Sequence, residues 1–278
     1  MNIKIMKFGG TSVADASNIN KVIDIILEAR SKGDDVCVVV SALGGITDEL
    51  IKLATLASKN DLEYETFFKS ICDRHDQVIE GLIDSKKNKN VLEEINKKYG
   101  ELYKVIKNIS FTQELSTSSL DVVMSFGEQL SSCIISEAIK DRGALSELID
   151  SRNVIKTDDN FGNANVDIET SYKLISDLLK NKHNSIVVMG GFVASTVDGL
   201  TTTLGRGGSD YTASLVGAAL SATVIEIWTD VDGIMTADPR KMKDAVLIPE
   251  ISYEQAEEIR KGQGPPRHRA VSRRGDAA

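Results

Sequence analysis

Apolar and polar positions follow two rhythms along the chain. Short apolar runs, typical of strands buried on both faces of a parallel sheet, alternate with stretches in which apolar residues recur every three or four positions, as on one face of a helix. Strands are predicted over residues 2–8, 36–40, 145–150, 186–189 and 224–228, with two short β segments before residue 203. Helices are predicted from about residue 15, over 120–140, 167–181 and 213–220, with two or more charged surface helices across 48–108.

The order of these elements predicts the fold class. Strands alternate with helices throughout, and the glycine-containing loops follow strands, which is the arrangement of a parallel sheet with helices on both faces. We therefore expect an α/β fold, a three-layer sandwich with a mainly parallel central sheet. No internal repeat and no domain linker is visible in the pattern.

Composition narrows the class of protein. Of 278 residues, 41% are hydrophobic and 27% are charged, and no apolar run is long enough to span a membrane. The net charge of −8 argues against a nucleic-acid binder. Three widely spaced cysteines and an N-terminus too short in apolar residues for a signal peptide favour a reduced, cytoplasmic protein with no structural metal. The three histidines form no local pair, and we expect each at the surface.

The stretch around which the chain is organised is residues 203–212, which read Thr-Leu-Gly-Arg-Gly-Gly-Ser-Asp-Tyr-Thr. Glycines that lead into a helix start can turn backbone N–H groups toward an anion. Arg206 could hold a carboxylate or phosphate through two parallel hydrogen bonds, and Ser209 or Asp210 is predicted to cap the helix. An ordinary strand–turn–helix connection is the alternative, because the stretch fits neither the P-loop nor the dinucleotide pattern.

A second loop of this kind stands at the start of the chain. Lys7 ends the first predicted strand, and Gly9 and Gly10 follow it. In open α/β sheets ligands bind at the carboxyl ends of strands, so these glycines give a phosphate room beside the lysine. An isolated lysine at a strand end is more often simply solvated. The strand over 36–40 is followed by a third glycine loop, in which Thr47 or Asp48 is expected to cap the next helix.

Glu128 is a carboxylate on a helix that is otherwise apolar or small in its neighbourhood. Burying such a group costs free energy unless something positive meets it. Two interpretations stay open at this point: a glutamate on the helix surface, which the sequence alone favours, and a ligand for an ammonium group.

Five motifs in order carry a resemblance to a known family. They are Lys7–Ser12, the loop at 41–47, Ser125–Glu128, the stretch 201–211, and Trp228–Gly233. Together these resemble aspartate kinase, over nearly all of residues 3–259, and the triple threonine before Arg206 is most similar to the lysine-pathway branch. The resemblance implies the amino-acid-kinase fold and MgATP-dependent phosphorylation of the L-aspartate β-carboxylate to 4-phospho-L-aspartate, the first step toward lysine, threonine and methionine.

The resemblance also implies roles for individual residues. Catalysis falls to Lys7, which would reach the transferring phosphoryl group, and to Asp210, which would orient that lysine and the central loop. Aspartate would be held by Thr47, Glu128, Arg206 and Ser209, with Glu128 on the ammonium group and Arg206 on a carboxylate.

The nucleotide side of the site is implied in the same way. ATP would be bound by Lys7, Phe8, Gly9, Gly10, Ser12, Thr229, Asp230 and Arg240. Mg²⁺ would be held mainly through the ATP phosphates, with no protein ligand named. The implied partners are L-aspartate and ATP, with neither nucleic acid nor membrane, and a homodimer is the expectation for the family.

The last residues depart from the family pattern. Residues 260–278 carry six basic residues against one acidic one, with two of the four prolines, and hold almost no large apolar side chain. We therefore expect a catalytic domain over residues 1–259, truncated before the regulatory ACT domains of the family. Its basic tail over 260–278 is either naturally disordered or the product of a reading-frame shift. The activity of such a chain stays open; the alternatives are an inactive nucleotide-binding fragment and a kinase for another acidic amino acid.

Overall fold

A computed structural model describes residues 2–83, 89–179, 182–229, 233, 236, 242, 244–252 and 254–255. Within these residues the strands are β1 Ile3–Phe8, β2 Asp35–Val40, β3 Ser146–Ile149, β4 Lys156–Thr157, β5 Ile186–Gly190, β6 Val193–Thr196, β7 Thr201–Thr203 and β8 Val224–Trp228. The helices are α1 Ala16–Ser31, α2 Ile46–Ser58, α3 Glu63–Leu82, α4 Lys89–Thr112, α5 Thr117–Asp141, α6 Ile168–Leu179 and α7 Gly208–Ala219, with a short 3₁₀ turn at Ser151–Asn153. None of these helices is both long enough and apolar enough to cross a bilayer.

The main sheet is parallel and has the strand order β3-β5-β2-β1-β8. β1, the first strand of the chain, lies between β2 and β8, so that Lys7 is in register with Val39 on one side and Ile227 on the other. All five predicted strands are confirmed. The parallel direction brings their carboxyl ends to one edge of the sheet.

Both faces of this sheet are apolar, and each packs on its own layer of helices. Met6 and Phe8 of β1 face a core built with helices α1 to α5, whereas Ile5 faces a second core built with α6 and α7. The other strands alternate in the same way. This period of two on a doubly buried strand explains the continuous apolar runs in the sequence, and it confirms the three-layer α/β fold.

A second, three-stranded sheet, β4-β6-β7, stands beside the first. Its strands β6 and β7 are antiparallel, and Val193 is in register with Thr203. The sequence predicts these two segments without their sheet. This second sheet positions the glycine-rich stretch, because that stretch begins where β7 ends.

One expectation about the histidines is wrong. His75 is fully buried in α3, where its Nδ1–H donates to the carbonyl of Ile71 at 2.8 Å and its ring meets the edge of Tyr99. The reason is that α2, α3 and α4 are amphipathic and contribute their apolar sides to the larger core, so a residue on that side of α3 is enclosed. His183 is partly exposed and pairs with Asp35 at 2.8 Å; His268 lies outside the described residues.

Candidate active site

A cavity of about 300 Å³ opens at the carboxyl edge of the main sheet. Its walls come from the loops after β1 and β2, from the start of α7, and from the middle of α5. Most of the lining is glycine or small polar residues, and the larger residues that line it are Lys7, Leu43, Glu128, Phe192 and Asp210. Segments far apart in the chain therefore meet at the edge where a parallel sheet places ligands.

Two close approaches of backbone allow these segments to meet. A Cβ on Gly10 would stand 3.1 Å from the carbonyl of Ala42, in the loop after β2. A Cβ on Gly191, after β5, would lie 2.6 Å from both Cα and Cβ of Ser209. A side chain at Gly191 would displace the first turn of α7, so this glycine sets how near that helix comes to the sheet.

Lys7 and Asp210 form an ion pair at one side of the cavity. The Nζ atom lies 2.7 Å from Oδ1, and the side chains are only 11% and 17% exposed. Asp210 Oδ1 has no aligned hydrogen bond, so the contact is one of charge. Lys7 is held near the carboxyl end of β1, between the neighbouring strands β2 and β8, and Asp210 is held by the first turn of α7.

Two helices begin at the cavity, each after a glycine in the left-handed conformation. Gly207 (φ 77°) precedes α7 and Gly45 (φ 83°) precedes α2, and neither helix has a side-chain cap. The predictions of Ser209 or Asp210, and of Thr47 or Asp48, as caps are therefore wrong. Glycine adopts this backbone conformation at low cost. The polar residues then fall in the first turn, where the unpaired N–H groups and helix dipoles favour an anion.

Glu128 is buried, and this decides between the two interpretations of its sequence context: it is not a surface residue. The side chain is 4% exposed, lines the cavity, and its Oε2 has no hydrogen-bond partner. Burial raises the pKa of this carboxyl to about 8, although a hydrogen bond with the backbone of Ala42 acts in the opposite direction. A cation in the cavity would supply the missing partner.

The other predicted site residues are divided between the cavity and its surroundings. Thr47 and Ser209 line the cavity, and Ser41 donates a hydrogen bond to Ser209 Oγ at 3.1 Å. Arg206 is exposed at the tip of the glycine-rich loop, outside the lining. The loop that carries it lines the cavity through its glycines, Gly205, Gly207 and Gly208.

The residues assigned to the nucleotide lie along the carboxyl end of β1 and beyond β8. Gly10 lines the cavity, Gly9 donates its N–H to the carbonyl of Trp228 at 3.3 Å, and Ser12 follows in the same turn. Phe8 is a core residue whose ring stacks on Trp228 at 5.9 Å. Thr229 is exposed next to that strand end. Asp230 and Arg240, like the tail over 260–278, lie outside the described residues.

Two residues near the site escaped the sequence analysis. Phe192 lines the cavity with a left-handed backbone (φ 66°), and its N–H is bound by Thr212 Oγ1 at 3.1 Å. Its position directly after Gly190–Gly191 was the available signal. Asp121 is completely buried on α5 and contacts the strand that leads into the glycine-rich loop. No such signal exists in the sequence for Asp121, because a single carboxylate near the start of a helix is equally common on a solvent-exposed face.

Comparison with known proteins shows the family to which the chain belongs. The family model described as the amino acid kinase family matches residues 2–273, which reaches past the boundary predicted at 259 without testing it. The lysine-sensitive aspartokinase 3 of Escherichia coli is 38% identical over 263 residues, which are 92% of this chain and 55% of that protein. The aspartokinase of Chlamydia pneumoniae is 33% identical, over 92% of this chain and 53% of its own length.

A solved structure gives the same result in three dimensions. The crystal structure of E. coli aspartokinase III in complex with aspartate and ADP superposes with a TM-score of 0.83 at 35% identity, covering 93% of this chain and 56% of that one. The chain thus spans about half the length of these relatives.

Proposed function

Since the chain belongs to the amino acid kinase family, we propose that it acts as an aspartate kinase, transferring the γ-phosphoryl group of ATP to the β-carboxylate of L-aspartate. One observation carries the proposal: the Lys7–Asp210 ion pair and the buried carboxyl of Glu128, whose Oε2 has no hydrogen-bond partner, face the same cavity. That arrangement offers an ammonium site next to a phosphoryl site. A relative that binds aspartate and ADP supports the same choice.

Aspartate has one cationic group and two anionic groups, and the cavity offers a counterpart for each kind. Glu128 takes the ammonium group, which gives its buried carboxylate a partner. Arg206 reaches the α-carboxylate from the tip of the glycine-rich loop, where its guanidinium can make two parallel hydrogen bonds. Thr47 and Ser209 stand in the first turns of α2 and α7, where they face the carboxylates together with the N–H groups of those turns.

The chemical step needs charge stabilisation and no general base. The β-carboxylate is already ionised at pH 7, so its oxygen attacks the γ-phosphorus directly while the bond to the bridging β–γ oxygen breaks and ADP leaves. The obstacle is the approach of one anion to another. The ammonium group of Lys7 and the two helix N-termini reduce that repulsion, a class of contribution worth about 10²–10³-fold in rate for a single donor.

The nucleotide occupies the carboxyl ends of β1 and β8 in this proposal. Gly9, Gly10 and Ser12 follow the phosphates, and Thr229 begins the segment that contacts the rest of ATP, with Asp230 and Arg240 assigned by resemblance. Among the described residues, no three His, Cys, Asp or Glu side chains are grouped as metal ligands. In this proposal Mg²⁺ would arrive with ATP and would be held mainly by phosphate oxygens and water.

The proposal also includes a cytoplasmic location, a homodimeric state and a place in amino-acid biosynthesis. Cys37, Cys72 and Cys133 are all free thiols, which suits the reducing cytoplasm. A homodimer rests on the family resemblance alone. The product, 4-phospho-L-aspartate, places the reaction at the first step toward lysine, threonine and methionine.

The test is an ATP-dependent hydroxamate assay with L-aspartate, run on the wild type, Lys7→Ala and Lys4→Ala. Lys4 is the matched control, because it lies on the same strand but pairs with Asp34 and Glu226 at the opposite edge of the sheet. Acyl phosphate that forms with aspartate, disappears in Lys7→Ala and persists in Lys4→Ala supports the proposal.

Other outcomes would replace it. Faster turnover with L-glutamate than with L-aspartate would make the chain a kinase for a different acidic amino acid. No turnover, in a protein whose melting temperature rises with MgATP, would make it a nucleotide-binding protein without the reaction.

A further inference from the structure

Asp121 is a buried carboxylate that the proposed reaction does not use. It lies in the second turn of α5 and is fully enclosed. Its Oδ2 accepts hydrogen bonds from the N–H groups of Gly162 at 2.9 Å and Thr203 at 3.0 Å, and its Oδ1 accepts one from the hydroxyl of Thr203 at 2.8 Å. No cation pairs with it in the part of the chain that the structure describes.

A carboxylate without a cation is a costly way to hold a helix in place. Burial raises the pKa of Asp121, and the three donors act against that rise. An apolar side chain could fill such a space without the desolvation cost. Unlike an apolar side chain, the carboxylate fixes the orientation of the groups around it, because three hydrogen-bond donors converge on two oxygens that α5 holds in place.

The donors belong to β7, which leads into the glycine-rich loop, and to a turn that packs against that loop. Thr203 ends β7, and its carbonyl accepts a hydrogen bond from Ala164 at 3.0 Å, so both of its backbone polar groups are engaged. Gly162 belongs to the neighbouring turn, in which Asn163 lies directly against Gly205. Asp121 therefore anchors the loop immediately before it turns toward Arg206.

The same helix carries Glu128, seven residues after Asp121. Seven residues are almost two turns, so both carboxylates lie on one side of α5, about 10 Å apart along its axis. The carboxylate of Asp121 accepts hydrogen bonds from the segments next to the glycine-rich loop, whereas Oε2 of Glu128 has no partner and faces the cavity. α5 thus connects the ammonium site to the carboxylate site as a rigid spacer.

We propose that Asp121 is a positioning residue that sets the distance between Glu128 and the loop bearing Arg206 and Ser209. In this role Asp121 determines how well one amino acid can contact Glu128 with its ammonium group and the loop with its carboxylates. That consequence rests on the proposed function. Asp121 touches neither substrate. Its loss is expected to weaken amino-acid binding selectively, since the nucleotide side is built on β1 and β8.

The test uses four variants of the full chain. In Asp121→Ala, the KM for L-aspartate is expected to rise at least tenfold while the KM for ATP stays within twofold. Asp121→Asn keeps an oxygen for the two N–H donors and should return the KM for L-aspartate to within about threefold of wild type. Thr203→Val, which removes only the hydroxyl, should raise that KM about threefold, and Thr203→Ser should behave like wild type.

Hydrogen–deuterium exchange supplies a readout that needs no substrate. Amides of residues 203–210 should exchange at least tenfold faster in Asp121→Ala, whereas those of residues 123–135 in the same helix keep their protection. If wild type shows no turnover with aspartate, the proposed function fails, and this exchange pattern still decides whether Asp121 positions the loop.

A proportional rise of both KM values, or equal loss of protection in α5 and in the loop, would reduce Asp121 to a general stability residue and overturn the inference. If Asp121→Ala does not fold, the Thr203→Val and Thr203→Ser pair decides. An unchanged KM for L-aspartate in Thr203→Val then also overturns it.

Discussion

The ammonium group of Lys7 lies 2.7 Å from a carboxylate oxygen of Asp210, and this contact joins strand β1 to the first turn of α7. Both side chains are largely removed from solvent. A phosphoryl group that enters the cavity would share the lysine with Asp210. The pair therefore holds the lysine in place before the substrate arrives.

The Lys7–Asp210 pair is expected to show strong energetic coupling. Lys7→Met or Asp210→Asn alone leaves a charge with little solvent and no partner, and each should cost about 3 kcal/mol of unfolding free energy. The double variant should cost clearly less than the sum, because it leaves no unpaired charge. Urea unfolding of the four proteins measures this coupling. The exposed pair Lys32–Glu28 is the control and should show none that is measurable; additive losses at Lys7 and Asp210 would contradict the prediction.

Binding of the amino acid is expected to release a proton at pH 7. Burial raises the pKa of Glu128 to about 8, so the free protein holds this carboxyl mostly protonated at pH 7. An ammonium group that enters the cavity favours the ionised form and expels the proton, and affinity should therefore increase from pH 6 to pH 8. Titration calorimetry in two buffers of different ionisation enthalpy measures the release. Glu128→Gln should release none at this site; buffer-independent heats for wild type would contradict the assignment.

His75 is expected to weaken the fold in acid. Burial lowers the pKa of this imidazole to about 4, whereas it titrates near 6.5 in the unfolded chain. Between these values the unfolded state binds more protons, so the contribution to stability is complete above pH 6.5 and is lost as the pH falls toward 4. Urea unfolding at pH 5 and pH 7 should show a smaller difference for His75→Leu than for wild type. An equal difference would mean that other groups set the acid response.

Gly191→Ala is expected to abolish most activity, because the added methyl group would meet backbone and side-chain atoms of Ser209 at 2.6 Å and displace the start of α7. Gly100→Ala is the matched control. Gly100 lies in α4 with open space around it, so alanine should stabilise the protein by roughly 0.5–1 kcal/mol and leave activity unchanged. Steady-state rates and melting temperatures of the two variants test this; wild-type activity in Gly191→Ala would mean that the α7 start tolerates displacement.

The five strands of the main sheet could be predicted because the inner strands are apolar on both faces. Their order in the sheet could not be predicted, because it depends on pairing between segments far apart in the chain. The convergence of the site followed from the parallel direction. The glycine loops next to Lys7 and Asp210 indicated where an anion could bind, whereas the contact between these two residues was implied only by the family resemblance. These features are local in sequence or follow from topology.

The rest depends on contacts between distant segments. The sequence around Glu128 is compatible with a side chain that faces water and with one that faces a cavity. Only the packing of α5 on the sheet decides between these two positions. The caps of α2 and α7 were misplaced because a left-handed glycine replaced the side-chain cap that serine, threonine or aspartate would supply. His75 was misjudged because amphipathic helices from one charged stretch enclose it.

The position of β1 between β2 and β8 also has a consequence for synthesis. During synthesis the side of β1 that pairs with β8 stays unpaired until residues 224–228 follow, roughly 10–40 s later at ordinary elongation rates. During that time the edge of β1 from Lys4 to Phe8 is open, and strands with open edges invite pairing with other chains. The main sheet therefore cannot be completed before residues 224–228 have been synthesised, and until then one side of β1 is open to aggregation.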